Sequence, residues 1–214
     1  MKSLPNLRFE RVGAMRQRGL VLFLALIALV AMSLAAIALI RSVDTSTMIA
    51  GNLAFKQAAT TSGDAGVESA MVWLAATDTA NSAKNVLTDA THTFNITDLA
   101  ANPGYHSSAD PALNLTADAT WNGSNNVVAG TDGSGNTISY IIQRMCRNAS
   151  QPIQTADCLF SSAVEDKNGH NILLPQDVCK GPGCPVAGQT PQIRITSRSA
   201  GPRNTVSYIQ AFVY

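Results

Sequence analysis

Hydrophobic and polar residues are distributed unevenly along this 214-residue chain, and the longest apolar run lies close to the N-terminus. Residues 20–40 (LVLFLALIALVAMSLAAIALI) contain no charge, no proline and no glycine, and Ser33 is the only polar side chain among them. An α-helix rises about 1.5 Å per residue, so a helix over this run reaches about 30 Å, the thickness of a bilayer's hydrocarbon core. The pattern therefore predicts a transmembrane helix over residues 20–40.

A cleaved secretory signal peptide is the first alternative, because the residues before the run are basic. Such signals have a shorter apolar region of about 7 to 15 residues and a small-x-small cleavage site. Here the helical pattern continues past Arg41, which favours a retained segment. The residues before the run contain a single acidic residue, Glu10, against Lys2, Arg8, Arg11, Arg16 and Arg18. By the positive-inside rule we expect a single pass through the inner membrane, a cytoplasmic N-terminus and a periplasmic C-terminal part.

Beyond Arg41 the pattern predicts that the helix continues over residues 41–76. Between Pro5 and Pro103 there is no proline to interrupt it. Small or apolar residues recur every three or four positions, at Val43, Thr47, Ala50, Ala54, Ala58, Thr61, Ala65, Met71 and Leu74. A stripe of Ala, Gly and Thr permits close approach but buries little apolar area. We expect the helix to be held by its own globular domain on one side and by neighbours on the other; a simple stalk is the alternative.

Residues 77–214 are predicted to form a globular head. The segment that leads from the long helix into this head, residues 75–111, is rich in Ala, Thr, Asn, Asp and Ser. This composition indicates the helix end, a connecting loop and a short helix near 83–90, and the Pro103-Gly104 pair indicates a turn.

Alternation of polar and apolar residues then predicts strands. One strand is expected over residues 113–121. Residues 127–129 and 137–145 flank a turn-rich loop and are predicted to form a hairpin, and 192–199 with 205–214 form a second one. Four or five antiparallel strands packed on the long helix give an α+β fold.

Charge and length exclude several classes of function. Removing residues 1–19 takes away five of the 15 basic side chains and one of the 14 acidic ones, which leaves a net charge of −3. No basic field remains for a nucleic acid. The exported part is long enough for one modest domain.

All four cysteines, Cys146, Cys158, Cys179 and Cys184, lie in the part predicted to be exported. An even number in an oxidising compartment indicates two disulfides, and the spacing does not match common zinc modules. Three pairings are possible. The two local pairs, Cys146 with Cys158 and Cys179 with Cys184, are favoured, because Gly181, Pro182 and Gly183 can turn the chain within the second loop.

No catalytic motif is present, so we expect no enzymatic activity, cofactor or metal. His92, His106 and His170 lack a spaced second ligand and are interpreted as exposed loop residues. Residues 132–136 (DGSGN) place oxygen side chains at alternate positions, as calcium loops do, but the same residues are typical of a hairpin turn, which is favoured.

Several N-terminal features together resemble the class III signal of type IV pilins. A short basic leader ends in Gly19 and is followed by an apolar helix with an amphipathic extension. More narrowly, residues 16–19 (RQRG), 41–42 (RS) and 48–52 (MIAGN) resemble the start of PilX-type minor pilins. The resemblance covers residues 15–75 and implies the type IV pilin fold. It also implies cleavage by a prepilin peptidase after Gly19 and N-methylation of Leu20.

One position departs from the major pilins. They carry a glutamate at the fifth mature position, where this chain has Leu24. A carboxylate deep in a bilayer costs about 2.5 to 3.5 kcal/mol on insertion scales and is thought to pair with a neighbour's terminal amine. Leu24 avoids this cost but cannot form the pair, which indicates a subunit used once or a few times rather than the bulk of a filament.

The resemblance implies a role in pilus assembly. With other minor pilins the chain would prime pilus formation and present a tip adhesin, supporting attachment and twitching motility. Asp64 and Glu68 lie one helical turn apart on the same side of the helix. They are interpreted either as charges that contact an adjacent subunit or as charges that are simply solvated. The region 146–185 is predicted to be irregular, and its loops around Cys158 to Cys184 are expected to face a partner.

Two alternatives remain open at the level of sequence. One is a minor pseudopilin of type II secretion, which also lacks the glutamate but usually contains an inserted domain. The other is a single-span periplasmic sensor or binding protein, which would keep its leader and contain a pocket.

Overall fold

The computed structural model describes residues 20–214. The leader predicted over residues 1–19, with its cleavage position at Gly19, lies outside these described residues. The described chain divides into two compact units between Gly51 and Asn52. We call the second of them, residues 52–214, the head unit.

The first helix, α1 (Leu20–Ala80), is longer than the predicted 20–76. It includes one segment that is long and apolar enough to cross a membrane. The helix ends at Ala80, and the next residue, Asn81, donates two hydrogen bonds to a carbonyl group of the last turn. The backbone N–H of Asn81 donates to the carbonyl of Thr77 over 3.1 Å, and its side-chain amide donates to the same carbonyl over 2.9 Å.

Within the head unit, one face of α1 packs against the sheet. Its buried residues are Ala59, Ser62, Gly63, Gly66, Ala70 and Leu74. This face has the expected three-four spacing, but most of the predicted stripe lies elsewhere, since Ala54, Thr61 and Ala65 are exposed. Five of these six buried residues are glycine, alanine or serine, and their small size lets the helix approach the strands closely.

The sheet contains five strands. They are β1 (Tyr105–His106), β2 (Val127–Thr131), β3 (Thr137–Arg144), β4 (Ile193–Gly201) and β5 (Thr205–Val213). β3 pairs with β4 and β4 with β5, while β1 and β2 both pair with β3. The sheet is mixed and not antiparallel as predicted, because β1 runs parallel to β3 and places Tyr105 beside Ile142. The fold is therefore α+β with a mixed sheet.

Both predicted hairpins are present. β2 pairs with β3 antiparallel around residues 132–136, with a register shift between Val128 and Gly130. β4 pairs with β5 in one unbroken register from Ile193–Val213 to Gly201–Thr205. Arg203 and Asn204 turn the second hairpin with positive φ angles of 58° and 57°.

Two other predicted elements are wrong. Residues 113–121 form turns and a short 3-10 helix (Asp118–Trp121) instead of a strand. The Asn114 side chain accepts the backbone N–H of Thr116 over 3.0 Å, so a local turn replaces the strand. Residues 83–90 likewise form turns and no helix. The hydrophobic core lies between α1 and the sheet. It contains Ala70 and Leu74 of α1 together with Tyr105, Tyr140, Ile142 and Ile195 of the strands.

Candidate functional site

The three histidines lie in different environments. His92 and His106 are buried, so their prediction as exposed loop residues is wrong; His170 is exposed as predicted. His92 Nδ1 accepts the backbone N–H of Phe94 over 3.1 Å, and burial lowers the pKa of His92. Burial also lowers the pKa of His106. Among residues 20–214 no three His, Cys, Asp or Glu side chains come close enough to share a metal ion.

The 132–136 loop is fastened to α1 by the carboxylate of Asp132. This carboxylate accepts the hydroxyl of Ser62 and, over 2.8 Å, the side-chain amide of Asn136. It also accepts the backbone N–H groups of Ser134 and Asn136 over 2.8 Å each. These hydrogen bonds, that of Ser62 first, lower the pKa of Asp132 to about 2. The acidic group therefore acts as a link between the hairpin and the helix.

The disulfides join the two pairs favoured from the sequence. Cys146 is bonded to Cys158 directly after β3, and Cys179 is bonded to Cys184. The first bond closes a loop that contains a short helix, α2 (Ile153–Ala156). Backbone hydrogen bonds reinforce the first loop, since the N–H of Arg147 donates to the carbonyl of Asp157 and the N–H of Asn148 donates to the carbonyl of Ala156, each over 2.9 Å.

The most deeply buried charge of the head unit, Arg144, was not recognised in the sequence. It is only 1% exposed. Its guanidinium donates to the carbonyl of Ser107 over 2.9 Å, to the side-chain oxygen of Asn95, and to the carbonyl of Gln151 over 2.7 Å. Burial lowers the pKa of Arg144. One side chain thus joins three loops. In the sequence alone, Arg144 cannot be distinguished from an exposed charge at the end of a strand.

A cavity of about 410 Å³ lies beside this arginine. Its walls include Leu74, Val86, Phe94, Arg144, Ile153 and Ile193. The walls are predominantly apolar, and the cavity is large enough for a small ligand.

Residues 159–192, between Cys158 and the start of β4, carry exposed apolar side chains, and we call this segment the apolar loop. Its exposed members are Leu159, Val164, Ile172 and Leu173, of which Leu173 is 77% exposed. The loop has its own hydrogen bonds, including Ile172 N–H to the Val164 carbonyl over 3.1 Å and Ala187 N–H to the Ile172 carbonyl over 2.6 Å. Apolar side chains held outward in this way are typical of a contact surface.

The side of α1 that faces away from the sheet is also free. Ala54, Thr61, Ala65 and Val72 are exposed and, at about 100° per residue, fall within about 40° of one another around the helix. We call these four residues the outer face. Asp64 and Glu68 are exposed beside it, and neither forms an ion pair with any residue of 20–214.

The apolar segment, residues 20–40, is exposed along its whole length, and Leu24 is 57% exposed. Its only polar side chain is satisfied within the helix, since the Ser33 hydroxyl donates to the Leu29 carbonyl over 2.8 Å. Nothing in this segment therefore opposes insertion into hydrocarbon.

Comparisons of the chain with protein-family models, with curated proteins and with solved structures each found no match. The structure itself defines a class, namely a chain that contains an apolar helix able to span a membrane and an α+β head unit.

Proposed function

We propose that this chain is a PilX-type minor pilin with the type IV pilin fold. It would be anchored in the inner membrane by residues 20–40, be cleaved after Gly19 by a prepilin peptidase, and carry N-methylated Leu20. It would then enter a pilus together with other minor pilins. The observation that supports this most directly is the exposed apolar segment, because a surface of that size must be covered by lipid or by other helices.

The outer face of α1 supports the assembly role. Its small side chains allow a second helix to approach closely, so that dispersion contacts accumulate along the helix pair. Asp64 and Glu68 are free to meet basic groups of a neighbouring subunit beside that contact. Exposed pairs of this kind contribute little energy, so their role would be to set orientation.

Leu24 supports a low copy number. A leucine inserts without the cost of a buried carboxylate but gives no charge pair with a neighbour's terminal amine. The chain would therefore start a filament and not extend it. The apolar loop would face another tip component, such as an adhesin, and in this way support surface attachment and twitching motility.

The test is the intact mass and N-terminal sequence of the membrane-extracted protein, with and without a co-expressed prepilin peptidase. We expect a chain that begins at methylated Leu20 only when the peptidase is present. Gly19→Val should block processing, and Gly13→Val, an equal change within the leader, should not. A leader retained in the native cell would refute the assignment.

A single-span periplasmic binding protein is the second candidate, and the cavity of about 410 Å³ beside Arg144 favours it. It predicts a retained leader and a ligand in that cavity. The same mass measurement on protein from the native cell therefore separates the two candidates, because only a pilin loses residues 1–19.

A further inference from the structure

The last strand of the sheet, β5, has a free edge. It pairs with β4 without any register shift. Apart from β4 and the turn at 202–204, no residue of 20–214 makes a backbone hydrogen bond to β5. About half of its backbone N–H and C=O groups therefore point away from the sheet. The strand contains no charge, proline or bulge, which are the features that usually protect a free edge, so it is open to an extended chain.

One side of α1 runs along this edge. Thr60 lies beside β5, since its hydroxyl is 3.2 Å from that of Ser207. At about 100° per residue, Met71 and Asp78 fall within about 20° of Thr60 around the helix. Both are exposed, Met71 by 49%. A strand added to β5 would therefore pass beside Met71 and Asp78.

The cavity of about 410 Å³ lies at the C-terminal end of the same edge. Val213 of β5 and Ala75 and Asp78 of α1 are among its walls, which are predominantly apolar. Asp78 forms no ion pair with any residue of 20–214. The other charged group in the walls, the guanidinium of Arg144, donates to its three loop acceptors. The end of the β5 edge thus combines an apolar cavity with an unpaired negative charge.

These features define the chemistry of a partner. A row of open N–H and C=O groups is paired along its whole length by another extended chain. Val206, Tyr208 and Phe212 are exposed on the face of β5 turned away from α1, so apolar residues of the added strand would cover them. On the side towards α1, a large apolar residue would fill the cavity and a basic residue would meet Asp78.

A second copy of this chain does not meet these requirements. Its β5 strand contains no basic residue to face Asp78. Two β5 edges paired antiparallel are related by a two-fold axis that directs the two α1 helices in opposite directions. Their apolar segments could then not enter one membrane. The occupant is therefore a segment of another protein.

We propose that the β5 edge binds an extended segment of a partner protein, which adds to the sheet antiparallel to β5. A large apolar side chain of this segment fills the cavity beside Val213, and a basic side chain next to it meets Asp78. Antiparallel pairing continues the arrangement of β3, β4 and β5 and is the more stable per residue. The proposal concerns the folded head unit and not the leader, so it stands or falls independently of cleavage after Gly19.

The test uses the full-length protein in a non-ionic detergent, with synthetic peptides as probes. The first peptide alternates valine and threonine, and near its N-terminus it has a lysine followed two positions later by a phenylalanine. In three control peptides, glutamate replaces the lysine, alanine replaces the phenylalanine, or a proline stands at the centre. Fluorescence anisotropy of labelled peptide gives the dissociation constant, and hydrogen exchange reports on the β5 amides.

We expect the first peptide to bind and to protect the β5 amides from exchange. The central proline removes a backbone donor from the added strand, so it should raise the dissociation constant about tenfold or more. Alanine in place of phenylalanine leaves the cavity unfilled and should raise the dissociation constant by a similar factor of about ten.

Asp78→Lys reverses the charge beside the cavity and leaves the β5 edge unchanged. It should weaken binding of the lysine peptide and strengthen binding of the glutamate peptide, each by about twofold to fivefold, because exposed ion pairs are weak. Glu165→Lys makes the same charge change at an exposed position of the apolar loop and should alter neither affinity. Near-ultraviolet circular dichroism checks that both variants are folded.

Four results would overturn the proposal. The first peptide does not bind at millimolar concentration, or it binds and leaves the β5 amides unprotected. The proline peptide binds as tightly as the first one, or Asp78→Lys leaves the relative affinities of the lysine and glutamate peptides unchanged. A wild-type protein that is dimeric and has protected β5 amides without any peptide would also overturn it, since a second copy would then occupy the edge.

Discussion

Gly66 sits where α1 comes closest to the sheet, and Gly66→Ala tests this packing. A Cβ at this position would lie 2.9 Å from the Ile138 side chain and closer still to the hydroxyl of Ser197. Ile138 belongs to β3 and Ser197 to β4, both in the middle of the sheet. Neither side chain can withdraw freely, since both are buried. The added methyl group must therefore push the helix away from the strands.

Two opposing effects decide how much Gly66→Ala changes the free energy of unfolding. Replacing glycine by alanine within a helix stabilises it by about 1 kcal/mol. Overpacking a buried contact costs about 1–3 kcal/mol. Because two atoms would lie within 3 Å, the upper half of that range applies. We expect Gly66→Ala to lower the free energy of unfolding by about 1–2 kcal/mol.

The assay is urea unfolding of the full chain in detergent, followed by the fluorescence of Trp73 and Trp121, both in the head unit. Ser197→Ala serves as the second arm of a double-mutant cycle. The Ser197 hydroxyl is buried and has no hydrogen-bond partner among the described residues, so its removal alone should leave stability unchanged or raise it. The double variant should recover part of the loss caused by Gly66→Ala. A Gly66→Ala protein at least as stable as the wild type would refute the close packing of α1 on β3 and β4.

Three further predictions concern other parts of the molecule. The pKa of Asp132 falls from 3.8 to about 2 on folding, so its stabilising contribution is complete above pH 3.8 and is lost as the pH falls towards 2. Asp132→Asn should therefore remove this part of the acid unfolding curve. An unchanged acid unfolding curve would contradict the link between Asp132 and Ser62. Replacing both Cys146 and Cys158 by serine should lower the free energy of unfolding by about 3 kcal/mol, against about 2 kcal/mol for Cys179 and Cys184, because the first bond closes the longer loop. The variant without the Cys146–Cys158 bond should therefore have the lower melting temperature of the two. If the chain is a minor pilin, Leu24→Glu should spread it along filaments in many copies, measured by immunogold labelling, whereas wild-type protein already spread in that way would contradict a tip position.

The features that could be predicted are those that depend on local sequence. Residues 20–40 are apolar without interruption, which leaves little choice but a helix. The two hairpins combine alternation with turn residues, and Pro202 and Asn204 allow only a tight connection. The disulfides follow from short loops that can close. In each case neighbouring residues contain the information.

The features that could not be predicted depend on distant residues. Alanine, serine and threonine occur on both sides of α1, so the pattern alone could not decide between Ala65 and Gly66 as the buried position. Glycine normally weakens a helix, yet Gly66 is where α1 meets Ser197 and Ile138 of the sheet most closely. β1 is two residues long and is held by β3, more than 30 positions further along the chain. Arg144 ends a strand as many exposed charges do, and only the folded loops show that it is buried.

The outer face of α1 and the cleavage position at Gly19 serve different steps of the proposed function, and this makes the assembly role testable by itself. The outer face requires a helix that can approach small side chains, and Asp64 and Glu68 lie exposed beside it. Asp64→Lys with Glu68→Lys should therefore reduce pilus assembly without changing cleavage after Gly19. A double lysine variant that is folded, cleaved and assembled like the wild type would contradict a role of these two charges in orienting the neighbouring subunit.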